Sequence, residues 1–134
     1  MQRNRGDLGM YPNAYNVYKN NSVNYASKDQ LLLMLVDGAV KFAKISRQAI
    51  VDKDIKKAHS NLIKTQEIFI ELMVSLDMDQ AEWTKDLMQI YTFIKDKLIE
   101  ANMKKDVKIM DEILPLIEEV RDLWHEADKR AKHQ

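Results

Sequence analysis

The chain has 134 residues, of which 21 are basic and 21 acidic, and it contains no cysteine. This length predicts one domain with one hydrophobic core, and the balanced charge argues against partners held by electrostatic attraction, such as nucleic acid. The lack of cysteine excludes disulfides and thiolate metal sites, which suits a cytoplasmic protein, and no apolar run is long enough for membrane insertion. Three glycines and two prolines are too few for the frequent turns of an all-β domain, so the composition favours long helices.

Residues 1–27 differ from the rest of the chain, because they hold six asparagines and four tyrosines but no sustained apolar pattern. Two interpretations of this N-terminal extension stay open. It is either a flexible polar tail or a short helix over 12–20. Such a helix would place Tyr11, Tyr15 and Tyr18 on one face, as an aromatic cap that docks on the folded domain.

The string LLLMLVDGAVKF contains Asp37-Gly38, a pair that is typical of a hairpin turn but also fits inside a helix. Ser27 and Gln30 form a capping-box pattern just before this string, which favours the helix. The helical spacing also continues through the glycine, at Leu31, Leu35, Gly38, Phe42, Ile45 and Ala49. The first helix is therefore predicted over 28–52.

Three more helices are predicted, over 54–76, 80–101 and 105–130, with a tail of residues 131–134. The third is predicted to end near Asn102, and the fourth to kink at Pro115. The core positions predicted for the third helix are Trp83, Leu87, Ile90, Ile94, Leu98 and Ala101. Because the connections are short, neighbouring helices must run antiparallel. The predicted fold is all-α, an antiparallel up-down-up-down four-helix bundle over 28–130.

Each helix carries a second set of apolar residues beside its core stripe. Two interpretations of this set stay open: an ordinary wide core face, or an exposed groove that binds a disordered partner as helical pieces. The candidate binding residues in this second set are Leu33, Val40, Ile63, Ile70, Val74, Met88, Tyr91, Ile109, Leu116 and Leu123.

Catalytic and cofactor sites find little support in the sequence. A di-iron centre in a bundle needs Glu-x-x-His on two helices, and the nearest match is one Asp122-x-x-His125, so we expect no metal and no cofactor. The string AHSNLIK around His59 resembles the start of a histidine phosphotransfer helix, but the lysine is displaced and the following glycine is missing. No nucleophile with a base, glycine-rich phosphate loop or paired catalytic carboxylates can be identified.

Five strings occur in the order and spacing of a known family: NVYKNNSVNYAS, LLLMLVDGA, QEIFIELMVSLDM, YTFIKDKLIEANMKKD and EEVRDLW. Over residues 13–127 the chain resembles the FliS family of flagellar export chaperones for flagellin. The resemblance implies a cytoplasmic type III secretion chaperone without enzymatic activity. Such a chaperone binds the disordered C-terminal region of flagellin, prevents premature polymerisation and keeps flagellin competent for export.

The resemblance also implies that the N-terminal segment can occupy part of the client site, which makes Tyr15 and Tyr18 candidate anchors. Export-gate or other flagellar proteins are further candidate partners, and the chain is expected to be a monomer or a weak homodimer. Two alternatives remain beside the flagellin chaperone. One is a non-enzymatic bundle that forms a homodimer through the second apolar sets of its helices, and the other is phosphotransfer through His59.

Overall fold

A computed structural model of the chain describes residues 27–133, which form four helices joined by short turns and contain no strand. The helices are α1 (Lys28–Val51), α2 (Ile55–Ser75), α3 (Glu82–Lys104) and α4 (Val107–Lys132). The all-α helical bundle predicted from the sequence is confirmed. The N-terminal extension, with its predicted helix over 12–20, lies outside the described residues.

The start of α1 is fixed by the predicted capping box. The Ser27 hydroxyl oxygen accepts a hydrogen bond from the backbone N–H of Gln30, and the Gln30 side-chain oxygen accepts one from the backbone N–H of Ser27, both at 3.2 Å. These bonds satisfy two donors that a helix N-terminus otherwise leaves unpaired. Asp37-Gly38 lies inside α1, so the hairpin interpretation is excluded.

Two lysines turn the chain between helices with left-handed backbone angles, Lys53 at φ 59° and Lys105 at φ 51°. α3 therefore continues to Lys104, whereas the sequence predicted an end at residue 101 with Asn102 in the left-handed position. Asn102 stays helical, and its side-chain oxygen accepts a 2.8 Å hydrogen bond from Nζ of Lys105. α4 starts correspondingly later, at Val107, and includes Pro115 within its length; the kink at this proline stays a prediction.

The four helices form a ring in which each packs against two others. α1 packs against α2 and α4, and α3 packs against α2 and α4, whereas the backbones of the diagonal pairs do not approach closely within the described residues. α1 and α2 make the most extensive contact of the ring. α1 also buries small residues, among them Gly38, Ala39 and Ala43, and small side chains allow close approach of a neighbouring helix. The loosest contact of the ring is between α3 and α4. A surface groove is therefore expected along this pair.

The core of α3 follows a different set of positions from the predicted one. Thr84 and Tyr91 are buried, with Tyr91 only 1% exposed, whereas Trp83 and Ile90 are 48% and 43% exposed. The sequence placed Trp83 and Ile90 in the core and Tyr91 in the second apolar set, and both assignments were wrong. Tyr91 is stabilised in the interior by edge-to-face contact with Phe69, at 5.9 Å between ring centroids.

Candidate functional site

An apolar groove of about 510 Å³ runs between α3 and α4. Its walls are Leu87, Ile90 and Phe93 from α3, and Leu116, Val120 and Leu123 from α4, with Asp86, Gln89 and Glu119 also in its lining. The exposed fractions of Ile90, Phe93 and Leu123 are 43%, 43% and 50%. These side chains present apolar surface to solvent at the loosest helix pair of the bundle. Such a groove suits an apolar stripe of a partner helix.

The groove has a distinct boundary at each end. At one end, the exposed Trp83 packs edge-to-face on Trp124, with ring centroids 6.4 Å apart. At the other end, Nζ of Lys97 lies 3.7 Å from Oε1 of Glu112 on α4 and 5.7 Å from the centre of the Phe93 ring. The lining residues span 86–93 on α3 and 116–123 on α4, about 10 Å along each helix, which matches about two turns of a bound helix.

The charged side chains at the Lys97 end of the groove are paired with one another. Lys97 is shared between Glu112 and Glu100, and Lys104 also contacts Glu100 at 2.9 Å. The contact with Lys104, with a further contribution from Lys97, lowers the pKa of Glu100. The positive charge at this end is therefore neutralised by carboxylates of the protein itself.

The α3 wall is supported from below by a buried tyrosine. The indole N–H of Trp124 donates a 2.8 Å hydrogen bond to the hydroxyl oxygen of Tyr91. Burial raises the pKa of Tyr91 to about 12, against a smaller opposing effect of the bond from Trp124. The hydroxyl therefore stays protonated at physiological pH, and the bond ties α4 to α3 at the tryptophan end of the groove.

The ten candidate binding residues do not come together in one place. The groove contains two of them, Leu116 and Leu123. Val40, Tyr91 and Ile109 are buried in the core, so the expectation that they provide spare surface was wrong. For these three residues the ordinary wide core face is the correct interpretation.

The other five candidates lie away from this groove. Ile63, Ile70 and Val74 share a face of α2, where Ile70 and Val74 are exposed and Ile63 is half-buried. Leu33 lines a smaller depression of about 130 Å³ between α1 and the end of α4, and Met88 is half-buried on α3. The cap candidates Tyr11, Tyr15 and Tyr18 lie outside the described residues.

Two of the groove's most exposed apolar residues, Ile90 and Phe93, are absent from the binding residues predicted from the sequence. Ile90 was assigned to the core, and Phe93 was assigned to neither apolar set. A signal for both exists in the sequence, because the alternative core spacing Thr84, Leu87, Tyr91 and Ile94 leaves Ile90 and Phe93 together on the adjacent face.

Glu67 stands between Ile63 and Ile70 on the outer face of α2. Both of its carboxylate oxygens are buried, and neither has a hydrogen-bond partner in the described part of the chain. This burial raises the pKa of Glu67 to about 7, although the nearby charge of Lys64 opposes the shift. A carboxylate in this environment destabilises the protein when it is ionised.

Among residues 27–133, no group of three or more His, Cys, Asp or Glu side chains could hold a metal ion. His59 is exposed, and its Nδ1 atom lies 3.0 Å from the side-chain nitrogen of Asn102. Within the same residues, no helix combines the length and the apolarity needed to cross a membrane.

Comparison with known proteins gives consistent matches over most of the chain. The family described as "Flagellar protein FliS" matches residues 11–131. The flagellar secretion chaperone FliS of Bacillus subtilis (strain 168) is 35% identical over 124 residues, which cover 90% of this chain and 92% of the relative. The protein of the same name from Vibrio cholerae is 28% identical over 121 residues, covering 90% of this chain and 87% of that one.

The fold also matches a solved structure described as "Crystal structure of flagellar chaperone from bacteria". The TM-score is 0.69, and the match covers 87% of this chain and 96% of the other. At 17% identity this likeness concerns the fold alone.

Proposed function

The chain belongs to the FliS family, whose curated members are flagellar secretion chaperones, and we propose that it binds the disordered C-terminal region of flagellin in the cytoplasm. Binding would prevent premature polymerisation and keep flagellin competent for export. The FliS family is not an enzyme class, and nothing in the match supports phosphotransfer at His59.

The observation that carries this proposal is the apolar groove between α3 and α4. A chaperone that prevents premature polymerisation has to cover surfaces of its client, and burial of apolar surface supplies favourable free energy for this without any catalysed reaction. The exposed Ile90, Phe93 and Leu123 offer a place where an apolar stripe of a partner helix could be buried. Ordering of a disordered segment costs conformational entropy, which offsets part of the free energy gained by burying this apolar area. The result is moderate affinity and easy release.

Isothermal titration calorimetry with a peptide of the flagellin C-terminal region tests the proposal. We expect binding with a negative heat-capacity change and a gain of helical circular dichroism. The variant Ile90→Ser should weaken binding by about tenfold or more, because it removes an apolar contact from the centre of the groove.

Ile99→Ser is the matched control, since Ile99 lies on the same helix, is 40% exposed and does not line the groove. We expect it to bind like the wild type. No binding by the wild-type protein would refute the proposed function. Equal weakening by Ile99→Ser and Ile90→Ser would show that the segment does not bind in this groove.

We further propose that the N-terminal extension competes with the client, with Tyr15 and Tyr18 as its anchors. The proposal follows from the family resemblance and from the spacing of the tyrosines. Removal of residues 1–24 should then tighten peptide binding. Unchanged or weaker binding after this truncation would exclude competition.

A further inference from the structure

Within residues 27–133, two carboxylates in the lining of the α3–α4 groove have no basic partner. Asp86 stands on the α3 wall and Glu119 on the α4 wall, and no lysine or arginine lines the groove. Between residues 27 and 133, neither carboxylate forms an ion pair. Nearby acidic residues do form pairs, as Glu82 does with Lys85 at 3.6 Å. The groove therefore presents uncompensated negative charge on both walls.

A partner that fills the groove must bring its own flanks close to these two carboxylates. An apolar or acidic flank would remove water from them without replacing its hydrogen bonds, which costs free energy, and an acidic flank would also be repelled. A basic flank would offset the loss of water through a charge-assisted hydrogen bond. Charge complementarity therefore selects a partner segment that is apolar in the middle and basic at its edges.

We propose that the flagellin segment bound in this groove carries lysine or arginine on both sides of its apolar stripe, paired with Asp86 and Glu119. The inference rests on the proposed function and adds the chemistry of the client to it. Because the two carboxylates stand on opposite walls, basic residues on one side of the client stripe would satisfy only one of them. The groove would thus select both the composition and the placement of charge in its client.

Calorimetric titration of the flagellin C-terminal peptide into Asp86→Asn, Glu119→Gln and the double variant tests the proposal. Each single change should weaken binding by about two- to fivefold at low salt, the range expected for exposed ion pairs. At about 0.5 M salt, where exposed charges are screened, the wild type and the variants should bind alike. Asp79→Asn is the control, because Asp79 is exposed in the turn before α3 and does not line the groove.

A second peptide, with its lysine and arginine residues changed to glutamine, tests whether the basic residues of the peptide are the partners of Asp86 and Glu119. This peptide should bind the wild type and the double variant with equal affinity. Suppose that the wild type binds the unmodified peptide, that Ile90→Ser weakens this binding, and that the double variant binds as tightly as the wild type at low salt. This result would refute only the charge proposal. If the wild type does not bind the peptide at all, the proposed function falls and this inference falls with it.

Discussion

The indole N–H of Trp124 donates a 2.8 Å hydrogen bond to the Tyr91 hydroxyl, which joins the two walls of the groove beneath its surface. Tyr91→Phe removes the acceptor and leaves the half-buried indole N–H of Trp124 unpaired. We expect a loss of about 1 kcal/mol in the free energy of unfolding, measured by urea denaturation. The same substitution should not change stability if the bond contributes nothing.

Glu67 should make the protein less stable as the pH rises. Its pKa is raised to about 7 in the folded state from an ordinary 4.5, so the folded protein binds the additional proton between these values. The contribution of Glu67 to stability is therefore greatest below about pH 4.5 and is lost as the pH rises through about 7. Glu67→Gln should abolish this part of the pH dependence.

The size of the Glu67 effect follows from the shift in pKa. The full shift would correspond to about 3 kcal/mol, and the partial exposure of the side chain reduces this to about 1–2 kcal/mol. We therefore expect Glu67→Gln to stabilise the protein by about this amount at pH 8 and to have little effect at pH 4.5. A gain of equal size at both pH values would show that ionisation is not the cause.

The capping box should contribute measurably to stability. Ser27→Ala removes the hydroxyl that accepts a hydrogen bond from the Gln30 backbone, and we expect a loss of about 1 kcal/mol in thermal or urea unfolding. Ser60→Ala is a suitable control, because Ser60 is exposed within α2. If both variants unfold alike, α1 does not depend on its cap.

Trp83 should report occupation of the groove. Its side chain is 48% exposed at one end of the groove and contacts Trp124. Binding of the flagellin peptide should bury Trp83 and shift its fluorescence to shorter wavelength. The shift should disappear in Trp83→Phe, in which Trp124 remains as the internal reference. A shift that persists in Trp83→Phe would place the change elsewhere.

The fold was predictable from the sequence because its signals are local. The Ser27–Gln30 box and the helical spacing through Gly38 each act within one helix, so they identify α1 without knowledge of its neighbours. The end of α3 was less predictable, since Lys105 adopts a left-handed conformation that its side chain does not favour.

The groove was harder to predict, because two sets of positions on α3 satisfy helical spacing equally well. The spacing through Leu87, Ile90 and Ile94 placed Ile90 in the core. In the structure, Tyr91 is buried against Phe69 with its hydroxyl paired to Trp124, and Ile90 faces the groove. The choice depends on partners in other helices, which the sequence of α3 does not reveal. The separation of α3 and α4 depends likewise on the packing of the whole ring.

The loose contact between α3 and α4 has a consequence for local stability. A helix pair with few neighbours opens more readily than the rest of a domain, and its amide hydrogens exchange with solvent sooner. The amides of α3 should therefore exchange faster than those of α1, which makes the most extensive contacts of the ring. A client that fills the groove would slow this exchange, so the chaperone would itself become more ordered while it holds a disordered segment.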